Sequence, residues 1–127
     1  MSPWTTEELT AIDSATELLI SSRRPDGTLR TPITIWHKTV GDALYIRSAR
    51  GPENGWFRHA LRSGTGQVCA GGVTKDVTFE LADPAVRDVL DETLHQKYDR
   101  FGPTPIAAIT GPDVLQTTLK VLPADGR

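Results

Sequence analysis

The side chains best suited to chemistry in this sequence are arginines, and they cluster. Between residues 23 and 62 stand eight basic side chains (Arg23, Arg24, Arg30, Lys38, Arg47, Arg50, Arg58 and Arg62) against three acids, Asp26, Asp42 and Glu53. That block therefore carries +5, and since the whole chain is −2 the remainder carries −7. The arginines fall at strand ends and at the start of a short helix. Arg30 opens Arg30-Thr31-Pro32, Arg47 sits in Ile46-Arg47-Ser48, Arg50 precedes Gly51, and Arg58 follows Trp56. Arginine offers forked, permanently charged donors, and unpaired N–H groups at a helix start add to the same field. The stretch has the composition of a phosphate-binding surface.

Other reactive chemistry is sparse. His37, His59 and His95 are scattered, with no Cys/His spacing that suits a metal. His37 has no acid beside it in sequence and reads as a hydrogen-bonded structural histidine rather than a general base. Cys69, between Val68 and Ala70, reads as a small buried hydrophobe. As the single cysteine it forms no internal disulfide, which fits a reducing cytoplasm. A net charge of −2 argues against a general nucleic-acid or membrane-surface binder. No apolar run approaches the roughly 18 residues of a membrane span, and Met1 to Glu8 lacks the pattern of a signal peptide. At 127 residues, with 38% hydrophobic content, the chain reads as one domain over 1–127 with a real core.

The elements that must hold the arginines can be read in order. Thr5 and Glu8 fit a capping box, and Trp4 and Leu9 a hydrophobic staple, for a helix within 1–16 that fades near Asp13-Ser14. Residues 17–23 predict a strand and Pro25-Asp26-Gly27 a turn; the chain returns in a strand spanning 30–38. Gly41-Asp42 turns it into a strand over 43–48, and a short helix follows near 54–63. Residues 63–66 break the pattern before strands over 67–70 and 73–82, joined by Gly71-Gly72. In the second of these Val77, Phe79 and Leu81 alternate with polar residues. Asp83-Pro84 starts a helix over 84–101 that buries Val86, Val89, Leu90, Leu94 and Tyr98 and leaves Asp88, Asp91, Glu92 and Asp99 in water. Strands over 105–110 and 115–122 complete the barrel region 17–123, and 124–127 is a loose tail. Turns this short favour antiparallel neighbours. The expected fold is mainly β with peripheral helices, a split, mostly antiparallel β-barrel, because closure removes exposed strand edges; a β-sandwich is the alternative.

This order of elements and motifs resembles the split-barrel superfamily that binds flavin mononucleotide (FMN) or a deazaflavin. That superfamily includes pyridoxamine-phosphate-oxidase-like proteins and deazaflavin-dependent nitroreductases. Within it the chain is most similar to a small bacterial family described as a domain of unknown function. The resemblance spans nearly the whole sequence and implies cofactor contacts at matching positions. Arg30-Thr31-Pro32 matches a second-strand motif that approaches the cofactor. Arg47-Ser48 resembles a third-strand motif whose hydroxyl binds phosphate. Arg50-Gly51 and Gly55-Trp56-Phe57-Arg58 resemble a glycine loop followed by Trp and a polar helix residue. Two positions depart from the pattern. Pro52-Glu53 stands where many flavin-binding relatives have lysine, and Lys120 stands where many carry arginine. Lysine is not an equivalent fork.

The resemblance implies an FMN- or deazaflavin-dependent oxidoreductase in which Arg30, Arg47, Ser48, Arg50 and Arg58 grip the phosphate end and Trp56 lies near the ring. Hydride transfer is then the cofactor's chemistry, and the protein supplies anchoring, orientation and a dry pocket. The competing reading is a non-catalytic split-barrel module that binds a phosphorylated ligand or only dimerises; a heme- or nucleotide-sequestering relative is a third. Read without the resemblance, Arg30, Arg47 and Arg58 are surface side chains, and Trp56 and Trp36 are core or interface anchors. Three tryptophans in so short a chain point to a homodimer with sites near the subunit interface.

Overall fold

The computed structural model describes residues 4–47, 55–102 and 118–124. Helix α1 (Thr6–Ser14) begins as its sequence dictates: the Thr5 hydroxyl accepts from the Glu8 N–H at 3.1 Å, and the Glu8 carboxylate accepts from the Thr5 N–H at 3.0 Å. Strands β1 (Leu18–Ser22), β2 (Ile33–Ile35), β3 (His37–Val40) and β4 (Ala43–Arg47) follow, then helix α2 (Gly55–Ser63). A hairpin of β5 (Thr65–Ala70) and β6 (Val73–Leu81) leads to helix α3 (Arg87–Tyr98), which is flanked by 3-10 turns, Pro84–Val86 and Asp99–Phe101. Strand β7 (Thr118–Pro123) is the last described element.

The strands lie in the order β2-β1-β5-β6-β7-β4-β3, every described pairing antiparallel. The two edge strands, β2 and β3, are consecutive in the chain and separated only by Trp36. One segment thus leaves β1 at one edge and joins β4 at the other, closing the sheet into a split barrel. The single strand expected over 30–38 is therefore two, because a segment that changes partners must break its ladder. Arg30 to Pro32 precede β2 and lie outside the ladder, in keeping with the missing N–H of Pro32.

The barrel interior is filled by Leu18, Ile20, Leu44, Ile46, Val68, Val77, Phe79, Leu119 and Val121, with Trp4 and Ile12 from the α1 end and Trp56, Phe57 and Ala60 from α2. The Trp4 indole N–H donates to the Val121 carbonyl at 2.9 Å. Strand β5 starts two residues earlier than its composition suggests and admits Gly66, where a Cβ would lie 2.3 Å from the Ser21 carbonyl oxygen. Only glycine lets β1 and β5 approach there. The β5–β6 turn uses Gly71 and Gly72, both at positive φ, and a side chain on Gly71 would strike α1 at Ala11.

Strand β4 is buried on both faces. Leu44 and Ile46 point into the barrel, while Ala43 and Tyr45 pack outward against Leu90, Leu94 and Tyr98 of α3. Val89, expected in the buried stripe of α3, is exposed. The strand expected over 105–110 and the tail 125–127 lie outside the described residues.

A polar seam joins α1, β3 and α3. Trp36 stacks on Tyr98 with ring centroids 4.1 Å apart. The Tyr98 hydroxyl donates to the Thr16 carbonyl at 2.7 Å and accepts from the His37 N–H at 3.1 Å. His37 Nε2 lies 2.6 Å from the Ile12 carbonyl, which makes it the donor, and Lys38 Nζ reaches both Asp13 oxygens at 2.9 Å. Burial brings Lys97, beside His37, down to about 8. Burial first, then the charge of Lys97, lowers His37 to about 4. His37 thus has the structural role its sequence context suggests.

The linkage sign follows from that depression. Between the ordinary histidine value and about 4, the unfolded chain binds a proton that the folded chain refuses, so stability falls as pH drops through this window. The cost by the lower end is roughly 3 kcal/mol. Urea unfolding at pH 7 and pH 4 should show this loss in the native protein and a clearly smaller one in His37→Gln. Equal losses in both would remove His37 as the cause.

Candidate functional site

A cavity of about 400 Å³ opens between the end of β1, the 24–33 segment and the first turns of α2. Its apolar lining is Ile20, Ile33 and Trp56; its polar lining is Ser22, Arg24, Arg30, Thr31 and His59. Local structure brings these together. The Arg30 N–H donates to the Ser22 carbonyl at 2.9 Å, the Arg24 N–H donates to the Thr28 carbonyl at 2.8 Å, and Arg23 bridges to Leu29. This continues the hairpin past β1 and sets residues 24 and 30 on one rim. The Asp26 carboxylate accepts from the Thr28 N–H at 3.0 Å and its hydroxyl at 2.7 Å, fixing the turn predicted at Pro25-Asp26-Gly27. On α2, Trp56 and His59 are three residues apart and share a face toward the cavity, while Phe57 and Ala60 turn into the core.

The donors differ in how far they are satisfied. Arg24 Nη1 donates to the Leu29 carbonyl at 2.8 Å, so it braces the turn as well as lining the cavity. Arg30 Nε and His59 Nδ1 are shielded from water and have no hydrogen-bond partner among the described residues. Such groups are costly unless an acceptor arrives. Burial and the charges of Arg30, Arg62 and Arg58 push His59 below its usual value. Trp56 is 9% exposed, packs edge-on against Phe57 with centroids 6.2 Å apart, and serves both as core anchor and as cavity wall.

Of the residues singled out in the sequence, Arg30, Thr31 and Trp56 line this cavity. Pro32 is exposed beside Thr31, and Arg58 is exposed on α2 next to His59. Ser48, Arg50 and Gly51 lie outside the described residues. Arg47 is placed elsewhere. It alternates with Leu44 and Ile46 along β4, so it emerges on the outer face under α3, 4% exposed. Its guanidinium pairs with the Asp91 carboxylate, and Nε donates to the Thr118 hydroxyl at 2.8 Å. Asp91 is correspondingly drawn out of the solvated face assigned to it from sequence. Lys120 is half-buried in β7, in register between Tyr45 and Glu80. Cys69 is half-exposed on the outer face of β5, its sulfur accepting from the Thr74 hydroxyl at 3.3 Å, rather than buried.

Sequence reasoning missed Arg24, His59 and Ser22. The signal for His59 was present as its three-residue spacing from Trp56 inside an arginine-rich helix. Nothing local marks Ser22, which joins the site only through its pairing with Arg30.

Antiparallel strands closed through one kinked segment, with helices around the rim, define this protein as a split β-barrel. Three solved structures share the fold. A "Putative Pyridoxamine 5'-phosphate oxidase" from Listeria innocua superposes with a TM-score of 0.66 at 14% identity, covering 94% of this chain and 92% of that one. An "F420 Reductase" gives 0.56 at 20% identity, covering 97% and 96%. An "FAD and Heme binding protein" from Mycobacterium smegmatis gives 0.54 at 19% identity, covering 98% and 68%. At such identities the likeness establishes the fold. No curated protein matches the chain significantly. The chain belongs to the bacterial family described as "Uncharacterized protein conserved in bacteria (DUF2255)", whose pattern matches residues 8–121.

The Arg47–Asp91 pair locks α3 onto β4, and removing one member leaves a guanidinium in the interior. Asp91→Asn should cost roughly 3 kcal/mol in denaturant unfolding, whereas Glu92→Gln on the exposed face should stay within about 0.5 kcal/mol. An unchanged midpoint for Asp91→Asn would show that the pair does not hold the helix.

Proposed function

We propose that the chain is an oxidoreductase domain that binds FMN or a deazaflavin in the cavity beside α2. The observation that carries this reading is a cavity lined by two buried, unpartnered polar nitrogens, Arg30 Nε and His59 Nδ1, together with apolar side chains that include Trp56. A cavity of about 400 Å³ lies within the usual size of cofactor sites, which run roughly 300–1,000 Å³. The cationic groups suit an anion and the apolar residues a flat ring, and the names of two of the solved split barrels above, an FAD and heme binding protein and an F420 reductase, are in keeping with a flavin-type ligand.

In this reading Arg30, with Thr31 and Ser22, holds the phosphate end through charge-assisted and hydroxyl hydrogen bonds. Arg24 contributes charge from the rim while bracing the turn. Trp56, Ile20 and Ile33 exclude water from the ring. The cofactor, when bound, supplies the hydride chemistry. Arg47 enters the proposal only as the residue that holds α3 to the barrel. The expected homodimer belongs to the same proposal, with exposed Ile33, at the cavity, as apolar surface for a second copy. Sedimentation as a monomer at micromolar concentration contradicts that part.

Fluorescence titration with FMN and with a deazaflavin coenzyme tests the main reading. One of them should bind saturably, and Arg30→Ala should weaken binding by about 10- to 100-fold, the loss of one charged hydrogen bond. Indifference of native protein to both cofactors sinks the proposal. Binding without turnover from any electron donor favours the non-catalytic module instead.

A further inference from the structure

We infer that His59 is a proton-coupled anion ligand: the cavity takes up a proton together with its ligand, and so prefers a phosphate monoester to a diester or an uncharged group. This deepens the cofactor reading above and rests on it.

The geometry supplies the argument. His59 faces the cavity from α2 with Nδ1 buried and unpartnered, and Arg30 faces it from the opposite rim with Nε in the same condition. The hydroxyls of Ser22 and Thr31 complete the polar lining. Arg30, His59 and a hydroxyl make three donor groups, and a monoester offers three terminal oxygens where a diester offers two.

The surroundings of His59, burial first and then the arginine charges, disfavour its protonation until an anion enters. On its own helix stand Arg58 and Arg62; across the cavity stand Arg24 and Arg30; β1 contributes only Ser22 and Ile20. Among the described residues, two acids of the neighbouring elements are engaged elsewhere. Asp26 is bound to Thr28 at the turn tip, and Asp76 of β6 is held by Arg23 and Gln67. Burial and the arginine charges hold the empty-site imidazole below its usual value. A dianion placed among these groups offsets the arginine charges, which raises the affinity of the imidazole for a proton. His59 then becomes a second cationic donor only when it is useful.

The sign of proton exchange separates His59 from the ligand. The second ionisation of a phosphate monoester lies at about 6, and a cationic site lowers it, so the ligand can only release protons on binding. Net uptake at pH 7.5 must come from the protein.

Calorimetric titration of the full chain with FMN, in two buffers of different ionisation enthalpy, reads this directly. Native protein should take up a fraction of a proton at pH 7.5. Its affinity should fall about tenfold per pH unit across the window between the free and bound values of His59. Riboflavin, which lacks the phosphate, should bind without uptake. His59→Gln should bind FMN more weakly with the uptake gone, and His59→Lys, with a fixed charge, should bind tightly without uptake. Saturable FMN binding with no uptake, or undiminished uptake in His59→Gln, overturns this inference and leaves the cofactor reading standing. Absence of FMN binding from pH 5.5 to 8.5 overturns this inference as well. If a deazaflavin then binds, the broader reading survives, and if neither binds, both fall.

Discussion

The rest of the structure depends on one segment, 33–40, serving two strands at opposite edges of the sheet. Its first three residues pair with β1 and its last four with β4. A ladder cannot continue through such a change of partner, and the break falls on Trp36. What would be a weak point is stabilised from outside. Trp36 stacks on Tyr98, the Tyr98 hydroxyl accepts the His37 N–H, and His37 in turn binds the end of α1. The bend carries the two edge strands on one short segment, so that little of the sheet edge is left beside the barrel.

The same closure places the candidate site. Because β2 is short and begins only at Ile33, the chain between Arg24 and Pro32 is released from the barrel wall. It extends the β1 hairpin toward α2 and carries Arg24, Arg30 and Thr31 to one rim of the cavity. Helix α2 closes the other rim with Trp56 and His59 while its opposite face seals the barrel. A rigid turn on one side and a packed helix on the other hold the cationic groups in place before any ligand arrives. That arrangement lowers the ordering cost of binding.

Local signals in the sequence were strong wherever short-range chemistry decides the outcome. The Thr5/Glu8 box, the Pro25-Gly27 turn and the Gly71-Gly72 turn all involve contacts within a few residues, and each is legible. The barrel class was legible from short antiparallel connections together with the family resemblance. Long-range placement was not. Arg47 looks like Arg30 in sequence, each a lone arginine at an expected strand end. What separates them is that β4 is covered on its outer face by α3, more than forty residues later, where Asp91 waits for the guanidinium. The opposite error befell His59, whose position on a helix says nothing of the hairpin that comes to face it.

The two-sided burial of β4 has a consequence for assembly of the fold. Sliding that strand by a single residue against β3 or β7 would exchange its faces, driving the guanidinium of Arg47 into a hydrocarbon interior and turning Leu44 and Ile46 toward α3. A misregistered barrel is thereby penalised twice over, once by a stranded charge and once by a helix left without its carboxylate's counterpart. The ion pair acts as a key that only one alignment of the strands can accept.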